Sequence, residues 1–319
     1  RAGEGRLSEV LGEKAIPFDK MFRTVGIKRN ISKNLYKYDT TVMKILQAYS
    51  NGVNEFLKER KGNYAIEFDV LGYQPEQWKP IHSLIIIKMM AWELNISWWT
   101  DLSFAELIQK LGEENVLEIL PDYPQNAPTI IADNFKYLPA INSNFAETDK
   151  AFRQMIGWTG THIGSNNWVI NANKSVSGKP IIANDPHLAF SAPGKWYAAV
   201  IKSKDWNAAG VTLPGVPGVV IGKGDNISWV LTNVMNDDAD FYAEKLDSTK
   251  AKYFIDGQWQ DLKIFKDTIK VKDGKNQIIE IKETHRGPII SNIHPFKFIY
   301  NKEDQNMPPI SMRWSGNEF

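Results

Sequence analysis

The sequence predicts an α+β chain that is helical in its first half and built from short strands in its second, with the change at Gly164-Ser165. Three observations carry this. Between Phe18 and Lys61, Tyr36, Thr40, Met43, Leu46, Tyr49 and Val53 recur at helical spacing. After Ser165, apolar residues come in short runs, Trp168-Val169-Ile170 and Ile181-Ile182-Ala183 first. From Tyr253 to Ile281 alternating residues flank Asp256-Gly257 and Asp273-Gly274, dipeptides that suit the positive φ of hairpin turns.

Taken in order, Leu7 to Leu11 reads as a short helix closed by Gly12, and Gly62 ends the long helical run. Ile66-Glu67-Phe68 reads as a linker into the turn Gly72-Tyr73-Gln74-Pro75. Trp78-Lys79-Pro80 leads into a helix carrying Met89, Met90, Trp92 and Leu94. Two short helical stretches follow, separated by Gly112. Pro121 to Pro128 reads as a loop, Asn134 to Thr148 as polar and irregular, and Lys150 to Trp158 as helical. Beyond Ser165 the expected strands are Trp196 to Ile201, Ala208 to Leu213, Val219 to Ile221, Asn226 to Thr232 and Asp237 to Tyr242.

Composition removes several function classes. The 319 residues are 43% hydrophobic, enough for a sizeable core. A net charge of +1 implies neither nucleic acid nor an anionic membrane as partner. Without cysteine there is no disulfide, thiolate metal site or cysteine nucleophile. Arg1-Ala2-Gly3-Glu4-Gly5-Arg6 lacks the apolar core of a signal peptide. The most apolar stretch, Ile81 to Trp99, is interrupted by Lys88 and Glu93, so it reads as a buried helix and not as a membrane span. Gly222-Lys223-Gly224-Asp225 is a strand turn and not a phosphate cradle, and no organic cofactor is expected.

A Gly-Ser bond can be cut by its own serine. The hydroxyl attacks the glycine carbonyl, the peptide becomes an ester, and water releases two chains. Glycine tolerates the strained backbone this requires. The freed α-amine titrates near ~7.7–8.0 and can act as base to its own hydroxyl. Alone, Gly164-Ser165 reads as a loop serine opening a strand. The surrounding text changes this. Ser165-Asn166-Asn167-Trp168-Val169-Ile170, followed by Gly178-Lys179-Pro180-Ile181-Ile182-Ala183-Asn184-Asp185-Pro186-His187, resembles the start of the β chain in the penicillin acylase family of N-terminal nucleophile amidohydrolases.

The resemblance implies a partial αββα four-layer sandwich. Residues 1–164 would be an α-chain-like helical region with a spacer at about 134–164, and residues 165–319 the N-terminal part of the β chain. It implies a self-processing hydrolase of linear amide bonds that acts on an N-acylated small molecule through Ser165. The two chains of one precursor would be each other's partners, and the location periplasmic or secreted. The alternative is an uncleaved or non-catalytic homologue serving as a binding or scaffold module. His187, 22 positions after Ser165, sits in what reads as a structural Pro-His turn. It matches a histidine held beside the nucleophile in the cephalosporin and acyl-homoserine-lactone types. Spacing from Ser165 in those members puts one backbone oxyanion donor at Val234. The family's second donor, an asparagine, would fall beyond Phe319, so this stretch by itself is expected to have little amidase activity. Met90, Leu94, Leu188 and Val220 read as core packing on pattern alone. By resemblance they line the acyl pocket, an aliphatic lining. Asp237-Asp238-Ala239-Asp240 reads as a solvated loop. Carboxylates at i and i+3 around a carbonyl also suit Ca2+. The family's calcium site uses the positions of Asp237, the Ala239 carbonyl and Asp240, and its α-chain glutamate aligns near Thr100, where Asp101 is the adjacent substitute.

Overall fold

The computed structural model describes residues 1–95, 97–119, 144–157, 164–188, 190–191, 193–291, 293 and 308–318. The helices are α1 (Ser8–Leu11), α2 (Ile16–Val25), α3 (Ile27–Asn34), α4 (Thr40–Glu59), α5 (Ile66–Leu71), α6 (Pro80–Leu94), α7 (Ser97–Leu111), α8 (Glu113–Leu117) and α9 (Asn144–Met155). The strands are β1 (Gly164–Ile170), β2 (Ile181–His187), β3 (Tyr197–Lys202), β4 (Asn207–Thr212), β5 (Ile221–Lys223), β6 (Ser228–Trp229), β7 (Ala239–Ala243), β8 (Lys252–Ile255), β9 (Gln258–Asp261), β10 (Lys263–Ile269), β11 (Gln277–Glu283) and β12 (Ile310–Trp314). Among the described residues, helices precede strands, with the change at Gly164.

Two compact units divide the chain, and they do not follow the sequence division at residue 164. One takes Arg1–Gly26, Asn95–Ala151 and Asn236–Glu318; the other takes Ile27–Leu94 and Phe152–Met235. Each therefore joins helices from before Gly164 to strands from after it. The physical reason is that a sheet with one apolar face needs a second layer to bury that face.

In the first unit, α2 packs on the β10–β11 hairpin. Ile16 joins Ile269, Val271, Ile279 and Ile281 in one buried cluster, with Phe265 against it. Pro17 opens α2 and Gly26 closes it in the left-handed conformation that a Cβ would strain. Buried Asp19 accepts from the Leu7 and Ser8 backbone N–H groups at 2.6 and 2.7 Å, satisfying donors that α1 cannot pair internally. The β8–β9 hairpin turns on Asp256 and Gly257, both at positive φ (48° and 76°), as their spacing predicts. Strand β12 pairs with β7 and sets Trp314 opposite Ala239. Buried Glu244 accepts from Ser311 Oγ at 2.6 Å, Thr284 Oγ1 at 3.1 Å and Arg286 at 3.2 Å, which satisfies a carboxylate taken out of water.

In the second unit, Asp39 caps α4 by accepting from the Thr41 and Val42 N–H groups at 2.7 and 3.3 Å. Asn54 on α4 exchanges two hydrogen bonds with the Trp78 backbone, which sets the start of α6. The sheet β3-β4-β5-β6 is antiparallel, and β1 and β2 form a separate hairpin. No helix among the described residues is long and apolar enough to cross a membrane.

Several elements differ from the sequence expectation. Ile66-Glu67-Phe68 is not a linker but opens α5, which Gly72 closes at φ 65°. Ile66 and Val70 are exposed, so the segment carries no buried stripe to betray a helix. Residues 144–148 are helical and not irregular, because Phe145, Thr148, Asp149 and Phe152 are all buried and the polar pair hides the periodicity. Residues 120–143 and 158–163, which hold most of the expected spacer and the Pro121–Pro128 loop, lie outside the described residues. The expected strand at 219–221 sits at Ile221–Lys223, and that at 226–232 shrinks to Ser228–Trp229. The first shift follows from a close crossing. Gly210 pairs with Gly222, and a Cβ on Gly222 would lie 2.3 Å from the Ala209 carbonyl oxygen. Gly222→Val should destabilise the second unit by about 1–3 kcal/mol through overpacking, read as a lowered urea midpoint with unchanged slope.

Candidate active site

The nucleophile candidate is placed by a hairpin. Strands β1 and β2 pair in register so that Gly164 faces His187, Ser165 faces Pro186 and Asn166 faces Asp185. The 22 positions that separate Ser165 from His187 in sequence are thereby closed to a cross-strand neighbourhood. His187 lies in a strand and not in a turn, because the pairing of β2 runs to its last residue. A Cβ built on Gly164 would lie 3.6 Å from His187 Nδ1. His187 Nε2 lies 3.0 Å from Asp185 Oδ2 and 3.3 Å from Asn166 Nδ2. A carboxylate only accepts, so the Asp185 bond requires the proton on Nε2. In neutral imidazole that leaves Nδ1, the nitrogen beside Gly164, as the acceptor. Asn166 can donate to Nε2 only in the other tautomer.

Ser165 is half-buried, and its Oγ accepts from the Asn233 backbone N–H at 3.2 Å. The adjoining segment is held by two asparagine side chains. Asn184 on β2 accepts from the Leu231 N–H at 2.9 Å, and its Nδ2 donates to the carbonyls of Leu231 (3.0 Å) and Asn166 (3.1 Å). Asn233 Nδ2 donates to the Leu94 carbonyl at 2.8 Å. Val234, the donor expected from spacing, follows Asn233 directly, and its side chain is exposed. The sequence assigned no role to Asp185 or Asn184, and it put the backbone donor in the stretch Asn233-Val234, at Val234 by spacing. The first two stand inside the motif that carries the resemblance. Spacing points to the Asn233-Val234 stretch, and nothing in the sequence signals a bond from the Asn233 side chain.

Leu94 is the last residue of α6, where helix carbonyls lose their internal partners. Arg153 donates to the Glu93 and Trp92 carbonyls at 2.8 and 3.0 Å. The Glu93 carboxylate pairs with Lys195, both side chains under 10% exposed (8% and 9%). Burial pushes the Lys195 ammonium down to about 8, so it still carries its charge at neutral pH. Met90 and Leu94 on α6, Leu188 after β2 and Val220 before β5 are all half-buried in this same unit.

The candidate metal residues belong to the first unit. Asp237 and Asp240 are exposed, and Ala239 is buried where β7 meets Trp314. Burial first, then the charges of Asp237 and Asp240, push the Asp101 carboxyl up to about 7. These carboxylates therefore act on one another, and hard oxygen donors suit a hard cation. Among the described residues, however, no three His, Cys, Asp or Glu side chains converge in metal-holding geometry. Asp238, never a ligand candidate, instead accepts from Trp314 Nε1 at 3.3 Å.

Comparison with known proteins places the chain in a family. The Penicillin amidase family model matches residues 1–318. The chain is 31% identical over 296 residues to acyl-homoserine lactone acylase QuiP of Pseudomonas aeruginosa, covering 91% of this chain and 35% of that protein. It is 27% identical over 303 residues to penicillin acylase 2 proenzyme of a Pseudomonas species, covering 91% of this chain and 38% of that protein. With penicillin G acylase of Escherichia coli it shares 24% identity over 371 aligned positions, covering 100% of this chain and 43% of that protein. The chain thus spans well under half the length of these relatives.

Two outcomes test the geometry. Glu93→Ala takes the carboxylate away from the buried Lys195 ammonium and should cost about 3–5 kcal/mol in denaturant unfolding, while Glu93→Leu with Lys195→Met should recover most of it. For Asp101, the folded carboxyl at about 7 lies above its ordinary 3.8, so the folded state holds the proton more tightly than the unfolded state. Stability without added cation should fall as pH rises from about 4 to about 7 and level off above, and Asp101→Asn should flatten that slope in the melting temperature.

On the family match over residues 1–318, this chain belongs to the penicillin amidase family, whose named relatives are acylases.

Proposed function

We propose that this chain supplies the nucleophile of a self-processing amidohydrolase with the four-layer αββα core of its family. The observation that carries the reading is the Asn233 N–H on Ser165 Oγ at 3.2 Å, with His187 across the hairpin from Gly164. In processing, Ser165 Oγ adds to the Gly164 carbonyl carbon and the C–N bond breaks. The nitrogen takes the hydroxyl proton, and water hydrolyses the resulting ester to a Gly164 carboxylate and a free Ser165 hydroxyl. In the tautomer whose Nε2–H donates to Asp185, His187 Nδ1 lies beside Gly164 and can relay the hydroxyl proton to the leaving nitrogen.

In turnover, the freed α-amine of Ser165 takes the hydroxyl proton as Oγ attacks the substrate amide. The oxyanion is held by backbone N–H groups of the 233–234 segment, Val234 by family spacing. Such donors act because they are fixed before charge develops. The tetrahedral intermediate collapses, the leaving amine takes the proton, and water releases the acid from the acyl-serine. Relatives named for acyl-homoserine lactone and penicillin suggest an N-acylated small molecule. Met90, Leu94, Leu188 and Val220 favour an aliphatic acyl group, although one methylene changes discrimination only ~10–200-fold. The family reading also carries a periplasmic or secreted location.

Asp101, Asp237, Asp240 and the Ala239 carbonyl are the residues that would hold Ca2+. Because these side chains do not converge as they stand, the ion would have to draw them together; it would relieve carboxylate repulsion, with no part in bond making. At about 100 times its dissociation constant it would add ~2.7 kcal/mol to stability.

Ser165→Ala in a precursor containing this chain should abolish both self-cleavage and amide hydrolysis. Intact-protein mass spectrometry and an assay on aliphatic and phenylacetyl amides read the two losses. An Ala variant that still splits after Gly164 would sink the nucleophile reading. A wild-type chain that never splits favours a binding or scaffold homologue.

A further inference from the structure

We infer that Asn233 is a positioning residue whose side chain ties the backbone N–H facing Ser165 to the carbonyl end of α6. The inference rests on the amidohydrolase reading and deepens it. Asn233 Nδ2 donates to the Leu94 carbonyl at 2.8 Å. Its Oδ1 accepts from the Met235 N–H at 3.3 Å, an Asx turn formed by its own side chain. Met235 is held at φ 58°, a conformation uncommon for a residue with a Cβ, and one that persists where surrounding bonds over-determine it. Two residues earlier, Leu231 is fixed on both its N–H and its carbonyl by Asn184. The Asn233 N–H on Ser165 Oγ thus lies between two clamped points.

One side chain therefore spends its amide on geometry and leaves the backbone donor aimed at the nucleophile. Leu94 itself is an acyl-pocket candidate, so the same helix end sets both the wall for the acyl group and the register of the donor. A displacement of about 1 Å at such a donor costs on the order of 10²-fold in rate, which is the effect expected here.

The test uses wild type, Asn233→Ala and Asn233→Asp in the full-length protein that contains this chain. Steady-state kinetics on an aliphatic N-acyl amide are read beside melting temperature and precursor cleavage. Both variants should lose about 100-fold in kcat with KM within about threefold, because substrate binding does not use this bond. The Asp variant adds a signature that a purely structural role would not give. An ionised carboxylate cannot donate to the Leu94 carbonyl, but the protonated acid can. Its activity relative to wild type should therefore climb as pH falls from about 7 toward about 4.5. Variants with wild-type kcat overturn the positioning role alone. Activity loss that tracks loss of folded protein, with no recovery of the Asp variant at low pH, assigns Asn233 to the fold and also overturns it. A wild-type protein without turnover overturns the amidohydrolase reading, and the positioning role with it.

Discussion

The carbonyl end of α6 is the constraint on which the surroundings of Ser165 depend. A helix terminus leaves its last carbonyls without internal partners, and this one is buried against protein. Arg153 takes the Trp92 and Glu93 carbonyls and Asn233 takes that of Leu94. Lys195 neutralises the Glu93 side chain at the same place. Each of these groups comes from a different stretch of sequence. Satisfying one helix end therefore fixes Arg153, the segment after β2 and the segment after β6 together in the second unit. Ser165 inherits its hydrogen-bond donor from that arrangement.

The hairpin supplies the other half. Register in an antiparallel pair is set by side-chain alternation, and a slip of one residue would send His187 to the opposite face. With Gly164 opposite His187, the imidazole meets a glycine, and its Nδ1 lies 3.6 Å from where a Cβ of Gly164 would be. Asp185, two residues earlier on the same face, selects the tautomer. Chemistry at this site thus needs no unusual residue, only a register and a proton held on the far nitrogen.

The acidic cluster obeys a different logic. Burial first, and then the charges of Asp237 and Asp240, raise the affinity of Asp101 on α7 for a proton. A proton and a hard cation are alternative ways to relieve the same repulsion. Trp314 Nε1 meanwhile donates to Asp238 and Ala239 is buried, whereas Asp237 and Asp240 face solvent. The loop's four residues are therefore not equivalent, a distinction that their sequence does not carry.

By itself the sequence determined the order of elements, the switch at Gly164-Ser165, the hairpin turn at Asp256-Gly257 and the motif that identifies the family. These are local features, written in periodicity, in glycine's access to positive φ and in contiguous residues. It also placed Ser165 and His187 as the pair to examine, because their motif is continuous. The tertiary structure decided what lies between distant segments. The Asn233 amide meets Leu94 across 139 positions of sequence, and no spacing rule connects them. Helix α5 and the start of α9 were hidden because exposed apolar or buried polar residues erase the amphipathic signal. Both compact units draw on each side of Gly164, since strands coded late are covered by helices coded early. Local pattern is fixed by neighbours in the chain, whereas the partner of a buried polar group is fixed by packing alone.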